Sequence, residues 1–193
     1  MRKKLFAAIL IVFLGFSSLS AESKPYKNSR VIAQAAPPQS GTMAMPVNPK
    51  QIGVKTIGDY RVVIMAESAK GWYQWENNQL VWSCPASNTN LHLEAELRDI
   101  RDNRILPYSD VTMSIYRGKT LIESKQLVFL WAPMGYHYGG NFTIPKSDTY
   151  NVKVDFSAPK FARHSKALGN RMNLPGSVTF TNLRLSPMGQ TAD

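Results

Sequence analysis

The heptapeptide Leu91-His92-Leu93-Glu94-Ala95-Glu96-Leu97 alternates apolar and polar side chains from end to end. A period of two is that of a β-strand, whose successive side chains point to opposite faces. Leu91, Leu93, Ala95 and Leu97 therefore share one face, and His92, Glu94 and Glu96 share the other. On that second face an imidazole and a carboxylate stand side by side on a stiff backbone. Transition metals take imidazole nitrogen and carboxylate oxygen together, which makes His92 and Glu94 half of a candidate metal site. A polar strand face turned to solvent explains the same pattern without a metal.

Outward from this strand the chain reads as short β-segments separated by turns. Residues 60–65 form a strand candidate. Residues 71–78 make an aromatic turn region, and Leu80-Val81-Trp82 begins a return strand, giving a hairpin that leads into the His92 strand. Residues 99–109 are a polar loop. Val111, Met113 and Ile115 share a face of the next strand, Arg117-Gly118-Lys119 is a turn, and residues 121–131 read as one further strand. Residues 133–140 read as a glycine-rich loop. Tyr150, Val152, Val154 and Phe156 alternate strictly. The closing strand over residues 177–185 loses its period at Thr181-Asn182, as a β-bulge would make it do. Seven or so short strands and no helix predict an all-β fold, an immunoglobulin-like β-sandwich. The Cys…Trp…Cys pattern of antibody domains is absent.

The sandwich is expected over residues 52–188, preceded by two other segments. Residues 1–21 read as a signal peptide: Arg2, Lys3 and Lys4 precede an apolar run and then small residues ending at Ala21. That run is shorter than the ~20 residues a membrane-spanning helix needs, and no cysteine follows it to carry a lipid. Residues 22–51, rich in Pro, Ser, Gln and Ala, read as a flexible linker. Within the linker, Met43 and Met45 place two thioethers two residues apart, a soft pair that suits Cu(I). Loss of the signal lowers the formal charge from +10 to +7. That favours anionic surfaces, but with no basic run or basic–aromatic interleaving it does not point to nucleic acid. Cys84 is the only cysteine, so no intramolecular disulfide can form. No base lies near it to activate it as a nucleophile.

The two remaining histidines lie far from His92 in sequence. His137 sits in Gly135-Tyr136-His137-Tyr138-Gly139-Gly140-Asn141, and His164 in Phe161-Ala162-Arg163-His164. Both are expected at strand–loop junctions. Taken with His92-Leu93-Glu94-Ala95, these three phrases resemble, in order and spacing, the periplasmic iron-transport accessory proteins. Those are small exported copper- and iron-binding proteins that work beside a high-affinity iron permease. The resemblance covers roughly residues 89–185. It implies an immunoglobulin-like fold, a homodimer, a membrane iron permease as partner, and a copper or iron ion (zinc in vitro) held by His92, Glu94, His137 and His164. The chain departs from the family pattern at several positions. Leu130 occupies the place of the family's methionine ligand, with Met134 nearby, and Tyr136 replaces a proline. Ser165-Lys166-Ala167 stands where acidic residues usually follow.

Three function classes follow. The first is a periplasmic metal-binding accessory of iron uptake, not an enzyme, whose affinity should fall as pH drops through the histidine range. The second is an adhesion or structural sandwich with incidental histidines. Its candidate contact patch is Trp72, Tyr73 and Trp75, although core packing is the preferred reading of these rings. The third is a copper redox enzyme at the same site. Hydrolase chemistry through Ser165 beside His164 lacks a Gly-x-Ser-x-Gly elbow.

Overall fold

The computed structural model describes residues 49–191. The expected signal peptide, the Met43/Met45 pair and all but the end of the expected linker lie outside the described residues. Eleven strands follow in order. They are β1 (Lys50–Ile57), β2 (Tyr60–Glu67), β3 (Trp72–Glu76), β4 (Gln79–Ser83), β5 (Leu91–Asp99), β6 (Val111–Arg117), β7 (Thr120–Gln126), β8 (Val128–Ala132), β9 (Gly135–Phe142), β10 (Asp148–Phe156) and β11 (Gly176–Leu185). Among the described residues the only helical element is a 3-10 turn at Lys166–Leu168.

The strands form an antiparallel sandwich. One sheet has the order β1-β2-β5-β9-β8 and the other β11-β10-β6-β7, while β3 and β4 pair only with each other. The alternation in β5 determines what lies between the sheets. Leu91, Leu93, Ala95 and Leu97 are fully buried, with Val62 and Ile64 of β2 beside them. The second sheet adds Val111, Met113, Ile115, Val152, Val154 and Phe180 to the same core. Each buried leucine or valine there contributes about 1.5–3 kcal/mol. The bulge expected at Thr181-Asn182 is present. Tyr150 pairs with Leu183 and Val152 with Phe180, and Asn182 has φ of 58°.

Four local readings change. Residues 120–132 are two strands in different sheets. The chain crosses at buried Leu127, whose N–H donates to the Val111 carbonyl. Continuous β-type composition hides such a crossing. Residues 133–140 are not a loop beyond Met134, because β9 begins at Gly135 and runs through both glycines. A side chain at Gly139 or Gly140 would crowd His92 or Leu127, and glycine within a strand marks such close approach. The strand at residues 60–67 pairs with β1 and β5 rather than with residues 80–82. The aromatic residues 72–76 form a strand of their own, turned at Asn77-Asn78. Tyr73 and Trp75 are exposed rather than packed in the core.

Candidate metal centre

β5 lies between β2 and β9, and directly opposite residues of antiparallel strands share a face. His92 stands opposite Glu67 of β2 and Asn141 of β9, and Glu94 stands opposite Met65 and Gly139. His137, two residues before Gly139, faces the same way, with Leu130 of β8 opposite it. The polar face of β5 is therefore not a solvent face. His92 is 0% exposed, Glu94 3% and His137 7%.

His92, Glu94 and His137 come together there, each offering a donor atom within 4.8 Å of the others. Glu94 Oε1 stands 3.6 Å from His137 Nε2 and 3.9 Å from His92 Nε2. Donors about 2.0–2.2 Å from a shared tetrahedral ion stand roughly 3.3–3.6 Å apart, so Glu94 needs close in only slightly on either imidazole to share one.

The tautomer of His92 follows from its neighbour. The Asn141 side-chain NH₂ donates to the Lys70 carbonyl at 2.7 Å, and its Oδ1 accepts from the Lys70 backbone N–H at 3.2 Å. That orients the amide, so Oδ1 also accepts from His92 Nδ1 at 2.8 Å. The proton of the neutral imidazole is thus on Nδ1, and Nε2 keeps its lone pair. Nε2 is buried without a hydrogen-bond partner. A buried, unpartnered nitrogen facing a carboxylate and a second imidazole fits a metal ligand.

Burial disfavours charge on all three donors. Burial pushes His92 down to about 4, partly offset by the Asn141 hydrogen bond, and burial lowers His137 as well. Glu94 is pushed well above the carboxylate range, first by burial and then by the Glu67 carboxyl beside it. Glu67 is itself paired with Lys70 at 2.5 Å. Glu96, the third polar residue of the β5 face, is taken up by a two-pronged ion pair with Arg98.

The remaining expected residues lie elsewhere. His164 is exposed, in the irregular segment after β10, beside a cavity that it lines with Asp99, Arg163 and Arg171. Asp99 is at the far end of β5 from His92, about 23 Å away at 3.3 Å per residue. Within one chain His164 therefore does not join the other three. Met134 is in the turn before β9. With Met65, Glu67, Glu94 and His137 it lines a cavity of about 250 Å³. Leu130 lines a larger one with His92 and His137. Cys84 is exposed and unpaired.

Sequence reasoning missed Asn141, Gly139, Met65 and Glu67. The two glycines and the asparagine after His137 carried a signal, since a strand keeps glycine where another side chain needs the room. Met65 and Glu67 carried none, because only the strand register brings β2 against this face.

Comparison with known proteins accords with the geometry. A family model described as Fe2+ transport protein matches residues 76–173. No curated protein matches the chain. FetP of uropathogenic E. coli, expressed recombinantly in the periplasm, is similar in structure. The likeness has a TM-score of 0.55 at 16% identity, covering 72% of this chain and 98% of that one. A copper-bound variant of that FetP has a TM-score of 0.57 at 16% identity, covering 72% and 93%. The copper-reconstituted P19 protein of Campylobacter jejuni has a TM-score of 0.54 at 18% identity, covering 75% and 99%. At such identities the likenesses establish the β-sandwich fold.

Proposed function

Because the chain belongs to the Fe2+ transport protein family, we propose that it is a periplasmic accessory of high-affinity iron uptake, taking a copper or iron ion at His92, Glu94 and His137. The observation that carries the site is the buried, unpartnered Nε2 of His92 facing the other two donors. Two imidazoles and one carboxylate with positions left open suit Fe(II), and imidazole also suits Cu(II). With Leu130 where the family's methionine ligand stands, the set is harder and less suited to Cu(I). Zinc should bind in vitro.

Export follows from the expected signal peptide, and the copper-bound fold relatives support copper as well as iron. The partner is a membrane iron permease that receives the ion. The working form is a homodimer, in which His164 can reach a metal site only across the two copies.

The test is isothermal titration of the mature protein with Cu(II), and with Fe(II) under anaerobic conditions. Replacing even an outer-shell partner of a metal ligand typically costs 10–100-fold in affinity. His92→Ala should therefore cost at least about 100-fold while the strand signal in far-UV circular dichroism is retained. An isotherm unchanged by His92→Ala would remove the site and the transport reading with it.

A further inference from the structure

The larger cavity above the cluster, about 660 Å³, is within the usual range for a small-molecule site. The hairpin β3–β4 makes one wall with Trp72, Tyr73 and Trp82, and β8 makes the other with Phe129 and Trp131. Its inner end is buried His92 and His137, while Trp75 and Trp131, each 71% exposed, stand at its rim. Trp82 packs edge-on against Tyr73, with ring centres 5.0 Å apart. Trp72 lies against His92, centres 6.2 Å apart.

Two buried polar atoms of its lining have no partner, His92 Nε2 and the indole N–H of Trp72. A purely apolar occupant would leave both atoms as they are, unpartnered, whereas an occupant bringing a metal and oxygen acceptors satisfies both. A bare ion would satisfy His92 alone and leave the aromatic walls facing water. Three protein donors also leave a first-row metal with one to three open positions.

We propose that the cavity receives the metal as a complex with a planar aromatic chelator bearing two adjacent oxygen donors, of the catecholate class, the ion bound at His92, Glu94 and His137 and the ring held between the hairpin and β8. The two chelator oxygens fill the open positions on the metal, and one of them accepts from the Trp72 indole N–H. The flat ring takes up offset or edge-on contacts with the tryptophans, each worth a few-fold in affinity. This inference rests on the metal site proposed above, and it adds the chemical class of what that site accepts.

The experiment titrates the mature protein with Cu(II) alone, with Fe(III) carrying one 4-nitrocatechol per iron, and with 4-nitrocatechol alone. Binding is followed by tryptophan quenching and by the visible charge-transfer band of the iron–catecholate. His92→Ala, Trp131→Ala and the double variant Trp75→Ala/Trp131→Ala are compared. Both tryptophans are exposed, so the fold should survive their loss, with circular dichroism as the check.

The wild type should bind the ferric complex with a shifted charge-transfer band, and far more tightly than the free chelator. The double variant should weaken the complex about tenfold and leave the Cu(II) isotherm unchanged. His92→Ala should weaken both. Equal binding of the ferric complex by the wild type and the double variant would overturn the proposal. So would extraction of the metal by the chelator, or a double variant that only converts a dimer to monomer. Cu(II) binding that survives in His92→Ala would instead sink the metal site itself.

Discussion

A Cβ built at Gly139 would stand 2.7 Å from His92 Nε2 and 3.0 Å from a methyl carbon of Leu130. His92 is fixed from its other side by Asn141, so its ring can yield only by giving up that hydrogen bond. Gly139→Ala should therefore leave the sandwich folded and lower Cu(II) affinity at least about tenfold, as loss of an orienting contact does. A full-affinity isotherm for Gly139→Ala would show that the ring does not bind where it stands.

The titrating groups of the cluster oppose one another. His92, lowered to about 4, stays neutral in the fold while the unfolded chain takes a proton below about 6.5, so its contribution to stability is lost as pH falls through that window. Glu94 is raised, so the unfolded chain loses its proton first, and stability falls as pH rises above the usual carboxylate range. Glu94→Gln should stabilise the metal-free protein at pH 8 by about 2 kcal/mol, measured by urea unfolding, while abolishing tight metal binding. No gain at pH 8 would mean that Glu94 is ionised in the fold. With Glu94 raised and both histidines lowered, the proton that competes with metal near neutrality is the one on Glu94, not one on a histidine. Metal affinity should therefore keep rising towards pH 8 rather than level off above the histidine range expected from composition.

At the scale of elements, β3–β4 behaves as an appendage with its own chemistry. Its turn places Asn77 at φ 48° and Asn78 at φ 62°, the two positive values of a type I′ turn. Asparagine tolerates this conformation better than other side chains, which pay about 1–2 kcal/mol. Because the hairpin pairs with neither large sheet, Asn77→Ala/Asn78→Ala should loosen it without lowering the main unfolding transition. Tryptophan emission should shift to the red as Trp72 and Trp82 become wetter. A drop in the main transition of more than a few degrees would tie the hairpin to the sandwich core.

Elements also show where reading by pattern fails. The strict period of β5 and β10 made those strands plain, because one face of each packs on the apolar core while the other carries polar side chains, half-exposed in β10 and buried around the cluster in β5. β9 was hidden by Gly135, Gly139 and Gly140, residues that usually mark turns; Gly135 does sit at a turn with φ of 131°, but Gly139 and Gly140 make room for His92 and Leu127. The division of residues 120–132 into β7 and β8 was hidden because both halves are β-prone and the change of sheet leaves no mark in composition.

At the scale of the whole molecule, His164 is set apart from the other two histidines. It lies near the Asp99 end of β5, where Arg171 binds both Asp99 and Asp59 and Arg163 is held by three backbone carbonyls. That anchoring keeps the segment from swinging to the cluster. Sedimentation equilibrium should show a dimer, and His164→Ala should weaken metal binding only under conditions where the dimer forms. A monomer that binds metal with full affinity would remove His164 from the site.

The amino-acid sequence by itself determined the class of fold and two of the three clustered donors on one strand. Alternation at period two follows directly from backbone geometry, and it puts His92 and Glu94 together whatever the rest of the chain does. Only the tertiary structure decided that this polar face is buried, that His137 joins it while His164 does not, and that an aromatic cavity opens above it. Those outcomes depend on which strands pair and in what register. Register is settled by burial and by side chains meeting across strands distant in sequence, and no local pattern records it.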